Sequence, residues 1–135
     1  MNKLPEDSLK QVFAEHFKNL GFDVATEVAN IYRSADLVVV DEDKKITIIE
    51  CKISNVRKAV EQIQIHKLSA DRVFIGMPFR NPRESTISMI KNACAGLLYL
   101  MPDGTVEEYI SAPQLNDWLE KTKNRLLDNM NYRGA

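Results

Sequence analysis

Apolar residues recur at helical spacing through Leu9, Val12, Phe13, Phe17 and Leu20, which predicts an amphipathic helix from Pro5 to Leu20. Gly21 follows in the usual position for a helix-terminating glycine. The pattern then changes to alternation. Phe22–Val28 reads as a short strand, and further strands are expected at about Ala35–Val40 and Ile46–Ile53, joined by the charged turn Asp41–Lys45. Val56, Ala59, Val60, Ile63 and Leu68 return to helical spacing and predict a second helix over Val56–Leu68.

Arg72–Met77 is a compact apolar run, expected to be buried on both faces and parallel to the preceding strand. A helix over Glu84–Ala95 should be stopped by Gly96. Leu97–Met101 and Val106–Ile110 flank Pro-Asp-Gly-Thr and predict a hairpin. A final helix is expected over Pro113–Asn129, burying Leu115, Trp118, Leu119 and Leu126, with 131–135 as a frayed tail. The order α-β-β-β-α-β-α-β-β-α describes an α/β fold, a mixed sheet with helices on both faces. Ile46–Met77 should form a right-handed crossover. With no repeat or linker composition, the whole of 1–135 reads as one domain.

Composition narrows the classes. Hydrophobic residues make up 44% and charged residues 27%, the balance of a folded globular domain rather than a disordered chain. No apolar run approaches the ~20 residues that cross a bilayer. The amino-terminal residues have no apolar signal core, so a cytoplasmic location with no membrane partner is expected. Cys51 and Cys94 lack metal-ligand spacing, which argues against a zinc site or disulfide framework. Net charge is −1, so any surface that binds phosphates must be local.

The chemistry concentrates in one hairpin. Asp36 opens an apolar strand, and the next apolar strand ends in Glu50-Cys51-Lys52. Alternation puts Glu50 and Lys52 on one face and Ile49, Cys51 and Ile53 on the other. Charges on core-like strands are costly unless compensated. Two carboxylates and an ammonium there suit a divalent cation and a phosphodiester. Mg²⁺ needs only one or two protein carboxylates besides waters and substrate oxygens, and Mn²⁺ can substitute. Asp36 and Glu50 would supply them, and Lys52 would stabilise charge building on the phosphate and help position or deprotonate water.

Asp36 followed by Glu50-Cys51-Lys52, between a leading helix and a following helix-strand, resembles the PD-(D/E)xK nuclease superfamily, which includes restriction endonucleases and Holliday-junction resolvases. The resemblance covers about Leu4–Met77. It implies a restriction-endonuclease-like fold and Mg²⁺-dependent DNA cleavage, with the Cys51 backbone carbonyl as a further metal oxygen. Members commonly carry a Gln on the helix after the Lys, matched here by Gln62, with His66 one turn on. A Glu on the first helix often completes the metal site, but Lys10 stands where it is expected. Glu27, Glu15 and Glu6 are the alternative third carboxylates.

Backbone phosphates could be met by Arg33, Arg57, Lys58, Lys67, Arg80 and Arg83, giving salt-dependent binding with little base readout. A domain of this size suits recognition of DNA structure or delivery by a recruiting protein. A homodimer through the last hairpin and helix would bring a site to each strand. Plainer readings compete. Glu50 and Lys52 could form a surface ion pair, and Gln62 and His66 a solvated helix edge. The substitution at Lys10 favours an alternative in which a catalytically inactive relative binds nucleic acid or assembles with proteins.

Overall fold

The computed structural model describes residues 5–134, the side chains of 131–134 excepted. The elements run α1 (Glu6–Asn19), β1 (Asp23–Ala29), β2 (Ser34–Val40), β3 (Ile46–Cys51), α2 (Val56–His66), β4 (Arg72–Pro78), α3 (Glu84–Asn92), β5 (Gly96–Leu100), β6 (Val106–Ile110) and α4 (Glu120–Gly134). The six strands pair in sequence order. The pairs β1–β2, β2–β3 and β5–β6 are antiparallel, while β3–β4 and β4–β5 are parallel. This is the expected mixed sheet with helices on both faces.

Alternation along the strands feeds two cores. Leu37, Val39, Ile49 and Cys51 meet Leu9, Phe13 and Ala14 of α1 on one face. Val38, Ile46, Ile48, Val73 and Ile75 meet Ala59 and Ile63 of α2, Ile90 of α3 and Leu126 of α4 on the other. Helix α1 seats closely because Gly76 has no side chain: a Cβ there would lie 2.8 Å from the Phe13 ring. At one sheet edge β1 is covered by α1 and α4. At the other, β6 presents exposed Glu107 and Glu108, charges that discourage pairing with another strand.

Three expectations need correction. Helix α3 ends at Asn92, and the chain turns at Cys94 (φ +57) rather than at Gly96. Gly96 instead begins β5, where a Cβ would fall 2.4 Å from the Phe74 ring and 2.6 Å from the Ile110 carbonyl oxygen. The last helix starts at Glu120, not Pro113, and its backbone is helical to Gly134; residue 135 lies outside the described residues. The segment before it has no regular secondary structure and is tied down by Leu115 N–H on the Asp71 carbonyl (2.7 Å) and Leu119 N–H on that of Leu68 (2.9 Å). Leu115 and Leu126 are buried as expected, but Leu119 is exposed and Trp118 half-buried beneath the Lys123 ammonium.

Candidate active site

The antiparallel registers align three acids. Leu37 pairs with Ile49, so Asp36 stands opposite Glu50. Thr26 with Leu37 and Val28 with Ala35 put Glu27 opposite Asp36. Glu27, Asp36 and Glu50 thus occupy one row across β1, β2 and β3. Like charges directly opposed on neighbouring strands repel, and each member of the row is handled differently.

Glu50 is 1% exposed. Its Oε1 accepts a 2.7 Å hydrogen bond from Nε2 of His66, which is wholly buried. The other ring nitrogen, Nδ1, accepts from Asn30 Nδ2 (2.9 Å), and Asn30 Oδ1 accepts from the Ser69 hydroxyl (2.8 Å). This order of donors assigns the neutral Nε2–H tautomer. Burial, aided by Arg33, lowers the His66 pKa to about 4, in keeping with a neutral ring. Burial also raises the pKa of Glu50, against partial relief from Asp36, Arg33 and Lys52.

Asp36 accepts the Cys51 backbone N–H on Oδ2 at 2.9 Å. Burial and the adjacent Glu50 carboxyl push its pKa up to about 6. Glu27 is turned aside by a left-handed backbone (φ +51), a strained conformation for a residue with a side chain. It pairs with the buried Lys10 ammonium, which also lies 3.9 Å from Asp36 and 3.6 Å from Asp7. Burial lowers the Lys10 pKa, but these carboxylates outweigh it and the net shift is upward.

Lys52 follows the last residue of β3. Its N–H is bound to the Gly76 carbonyl (2.9 Å), its side chain is half-buried, and among the described residues it forms no ion pair. The surface Glu50–Lys52 pair is therefore absent, since the Glu50 carboxylate is taken by His66. Gln62 and His66 are both buried rather than on a solvated edge, and Gln62 Oε1 is the single buried side-chain polar atom without a partner among the described residues.

Of the candidate third carboxylates, Glu27 is engaged by Lys10, and Glu6 is exposed. Glu15 lines a recess against the β5–β6 turn, away from the row. No group of three or more His, Cys, Asp or Glu side chains is poised around one cation position among the described residues. Two carboxylates nevertheless suit one hard cation. Asp36 Oδ1 and Glu50 Oε2 are the oxygens left by the Cys51 and His66 bonds, and a cation would offset the repulsion and burial that raise both proton affinities. The Cys51 thiol points into the α1 core, and burial raises its pKa.

Arg33 sits exposed on the β1–β2 loop within electrostatic reach of Glu50 and His66. Arg57 and Lys58 are exposed in the first turn of α2, and Lys67 caps its other end. Arg80 and Arg83 lie on the β4–α3 loop. The roles of His66, Asn30 and Ser69 behind Glu50 had no signature in the sequence, because they depend on α2 running back over the strand that precedes it.

No protein-family model matches the chain, and its sequence matches no curated protein. Among solved structures, it is similar to a protein of unknown function from Silicibacter pomeroyi, SPO1766, with a TM-score of 0.77 and 20% identity over 99% of this chain and 88% of that one. That likeness shows the α/β fold. Pyrococcus furiosus SfsA, solved in complex with Ca²⁺, aligns with a TM-score of 0.42 and 13% identity, covering 78% of this chain and 61% of that one. No helix among the described residues is long and apolar enough to cross a membrane.

Proposed function

We propose that this protein is a divalent-cation-dependent hydrolase of DNA phosphodiester bonds, with Asp36, Glu50 and Lys52 as its working residues. One observation carries the reading. Asp36 and Glu50 are opposed across two strands at the sheet end, both with raised proton affinity, and Glu50 is fixed from behind by a hydrogen-bonded chain through buried His66, half-buried Asn30 and buried Ser69. Building such a pair costs stability, and holding it rigidly suits a ligand that repays the cost.

A bound Mg²⁺, or Mn²⁺ in its place, would supply charge neutralisation at the phosphate and a more acidic water. Asp36 and Glu50 would hold it, with the Cys51 carbonyl as a further oxygen. Lys52, with no ion pair among the described residues, would face the negative charge that grows on the phosphate oxygens. Gln62, with its carbonyl oxygen unpartnered, would accept a hydrogen bond from water or from Lys52. The flanking arginines and lysines would contact the strand without reading its bases. Preference for branched or flapped DNA, a homodimer and a recruiting protein belong to the same proposal.

Lys10 favours a second reading. Its ammonium already neutralises Glu27 and approaches Asp36. A site balanced by an internal cation suits a nucleic-acid-binding or assembly module that no longer hydrolyses. Cleavage of labelled linear, flapped and four-way-junction DNA with Mg²⁺ or Mn²⁺ separates the two. Cutting that disappears in both Lys52→Ala and Glu50→Gln supports the hydrolase. Salt-dependent binding without cutting supports the module. Cutting that survives both substitutions overturns the assignment of the site.

A further inference from the structure

Three arginines with no acidic partner among the described residues line one cavity of 480 Å³ at the carboxyl ends of the parallel strands. Met77 and Tyr99 line it from β4 and β5, Arg57 from the first turn of α2, and Arg80 and Arg83 from the β4–α3 loop. Among the described residues, no aspartate or glutamate lines it. Its volume falls in the range of small-ligand sites, about 300–1,000 Å³, and the carboxyl end of a parallel sheet is where such sites gather.

The local sequence runs against helix electrostatics. The amino end of a helix favours negative charge, yet α2 opens with Arg57 and Lys58 and has no acid in its first turn. Helix α3 points its own amino end toward the same loop with no side-chain cap, although it does carry Glu84 in its first turn. In a protein of net charge −1, gathering arginines without acidic partners among the described residues beside the positive end of α2 costs stability unless an anion completes the arrangement. The cationic wall is also tied to the carboxylate row. The Arg80 guanidinium donates to the carbonyl of Ile53, the residue next to Lys52.

We propose that this cavity binds a terminal phosphate monoester of a nucleic-acid strand. A monoester carries nearly two negative charges at neutral pH, against one for an internal diester, and it matches three arginines better. The identity of the strand rests on the hydrolase reading above; the affinity for a phosphate monoester rests on the cavity.

The test is binding of the full chain, without divalent cation, to single-stranded oligonucleotides of one sequence carrying a 5′-phosphate, a 3′-phosphate or hydroxyls at both ends, with inorganic phosphate as competitor. One phosphorylated end should bind at least roughly tenfold tighter than the hydroxyl-ended strand, the worth of a single charge-assisted hydrogen bond. That ratio should collapse in Arg57→Gln and in Arg83→Gln, each checked for unchanged thermal melting, and inorganic phosphate should reduce it in the wild type. Equal binding of all three oligonucleotides overturns the proposal, whether or not inorganic phosphate competes. So does a preference that both variants retain. Metal-dependent cleavage with no preference for a terminal phosphate would leave the hydrolase standing and remove this subsite. A phosphate preference without cleavage would do the reverse.

Discussion

His66 donates from Nε2 to Glu50 Oε1 at 2.7 Å, and neither residue meets solvent. The bond holds a carboxylate where water cannot compensate its loss. A hydrogen bond to a charged group contributes about 1.5–3 kcal/mol, so His66→Ala should lower unfolding free energy by at least that much at neutral pH. Lys52→Ala, which removes a half-buried side chain with no ion-pair partner among the described residues, should stay within about 0.5 kcal/mol of wild type. Urea unfolding of the two variants makes the comparison. A His66→Ala protein as stable as wild type would show that Glu50 does not depend on this ring.

Asp36 and His66 should tilt stability in opposite directions with pH. The folded Asp36 pKa, about 6, lies above its ordinary 3.8, so its contribution is complete below pH 3.8 and is lost as pH rises through 6. His66 is lowered from 6.5 to about 4, so its contribution is complete above pH 6.5 and is lost as pH falls through 4. Asp36→Asn removes the first slope and keeps an oxygen to accept the Cys51 N–H. The variant should be more stable than wild type near neutrality, with the advantage fading toward pH 4. An advantage that does not change with pH would assign the effect to something other than ionisation of Asp36.

Divalent cation should stabilise the folded chain through the same pair. A ligand at a hundredfold its dissociation constant adds about 2.7 kcal/mol. Mg²⁺ or Mn²⁺ should therefore raise the melting temperature of wild type, and Glu50→Gln should abolish the rise. If both proteins respond alike, the cation is not binding between Asp36 and Glu50.

The sheet and its order were legible because strand alternation and helix periodicity survive packing. Asp36 and Glu50 were legible as charges on apolar strands. The partners of Glu50 were not, since Gln62 and His66 spaced one turn apart look the same on a solvated edge as on a buried face. Glu27 read as an alternative third carboxylate, and nothing in the sequence marks the left-handed backbone that accompanies its pairing with Lys10. The segment Pro113–Leu119 reads as helical from its apolar spacing, but two of its N–H groups bond to carbonyls that are distant in sequence. Those bonds have no local signature.

Gly96 and Gly104 should fail for different reasons. A Cβ at Gly96 meets both the Phe74 ring and the backbone oxygen of Ile110. Gly96→Ala should cost about 1–3 kcal/mol or more, and Phe74→Leu should not rescue it because the carbonyl stays in place. Gly104 has open space but φ +91, so Gly104→Ala should cost about 1–2 kcal/mol of backbone strain. Gly104→Asn should recover part of it, because asparagine tolerates the left-handed region. Thermal melts of the four variants read both patterns, and full rescue by Phe74→Leu would refute the backbone clash.

Asp71 fastens the carboxyl-terminal third of the chain to the sheet. Its carboxylate accepts the Ile46 N–H at 2.8 Å and the Gln114 amide at 3.1 Å, and it pairs with Lys123 at 2.9 Å. Its backbone carbonyl takes the Leu115 N–H. Burial alone would raise its pKa, but Lys123, the Ile46 N–H and Gln114 outweigh that and hold it below 3.8. The stability it provides is thus present above pH 3.8 and lost as pH falls through the depressed value. Removing one partner of a buried pair costs about 3–5 kcal/mol. Asp71→Ala should approach that cost at pH 7, and Lys123→Met less, because two neutral donors still serve the carboxylate. The two losses should fall short of additive in the double variant, since each removes the same pair. Amide exchange should show where the damage falls: in Asp71→Ala, 111–119 should lose protection before β3 or β4 does. Uniform loss across the sheet would mean that Asp71 supports the whole fold rather than this attachment.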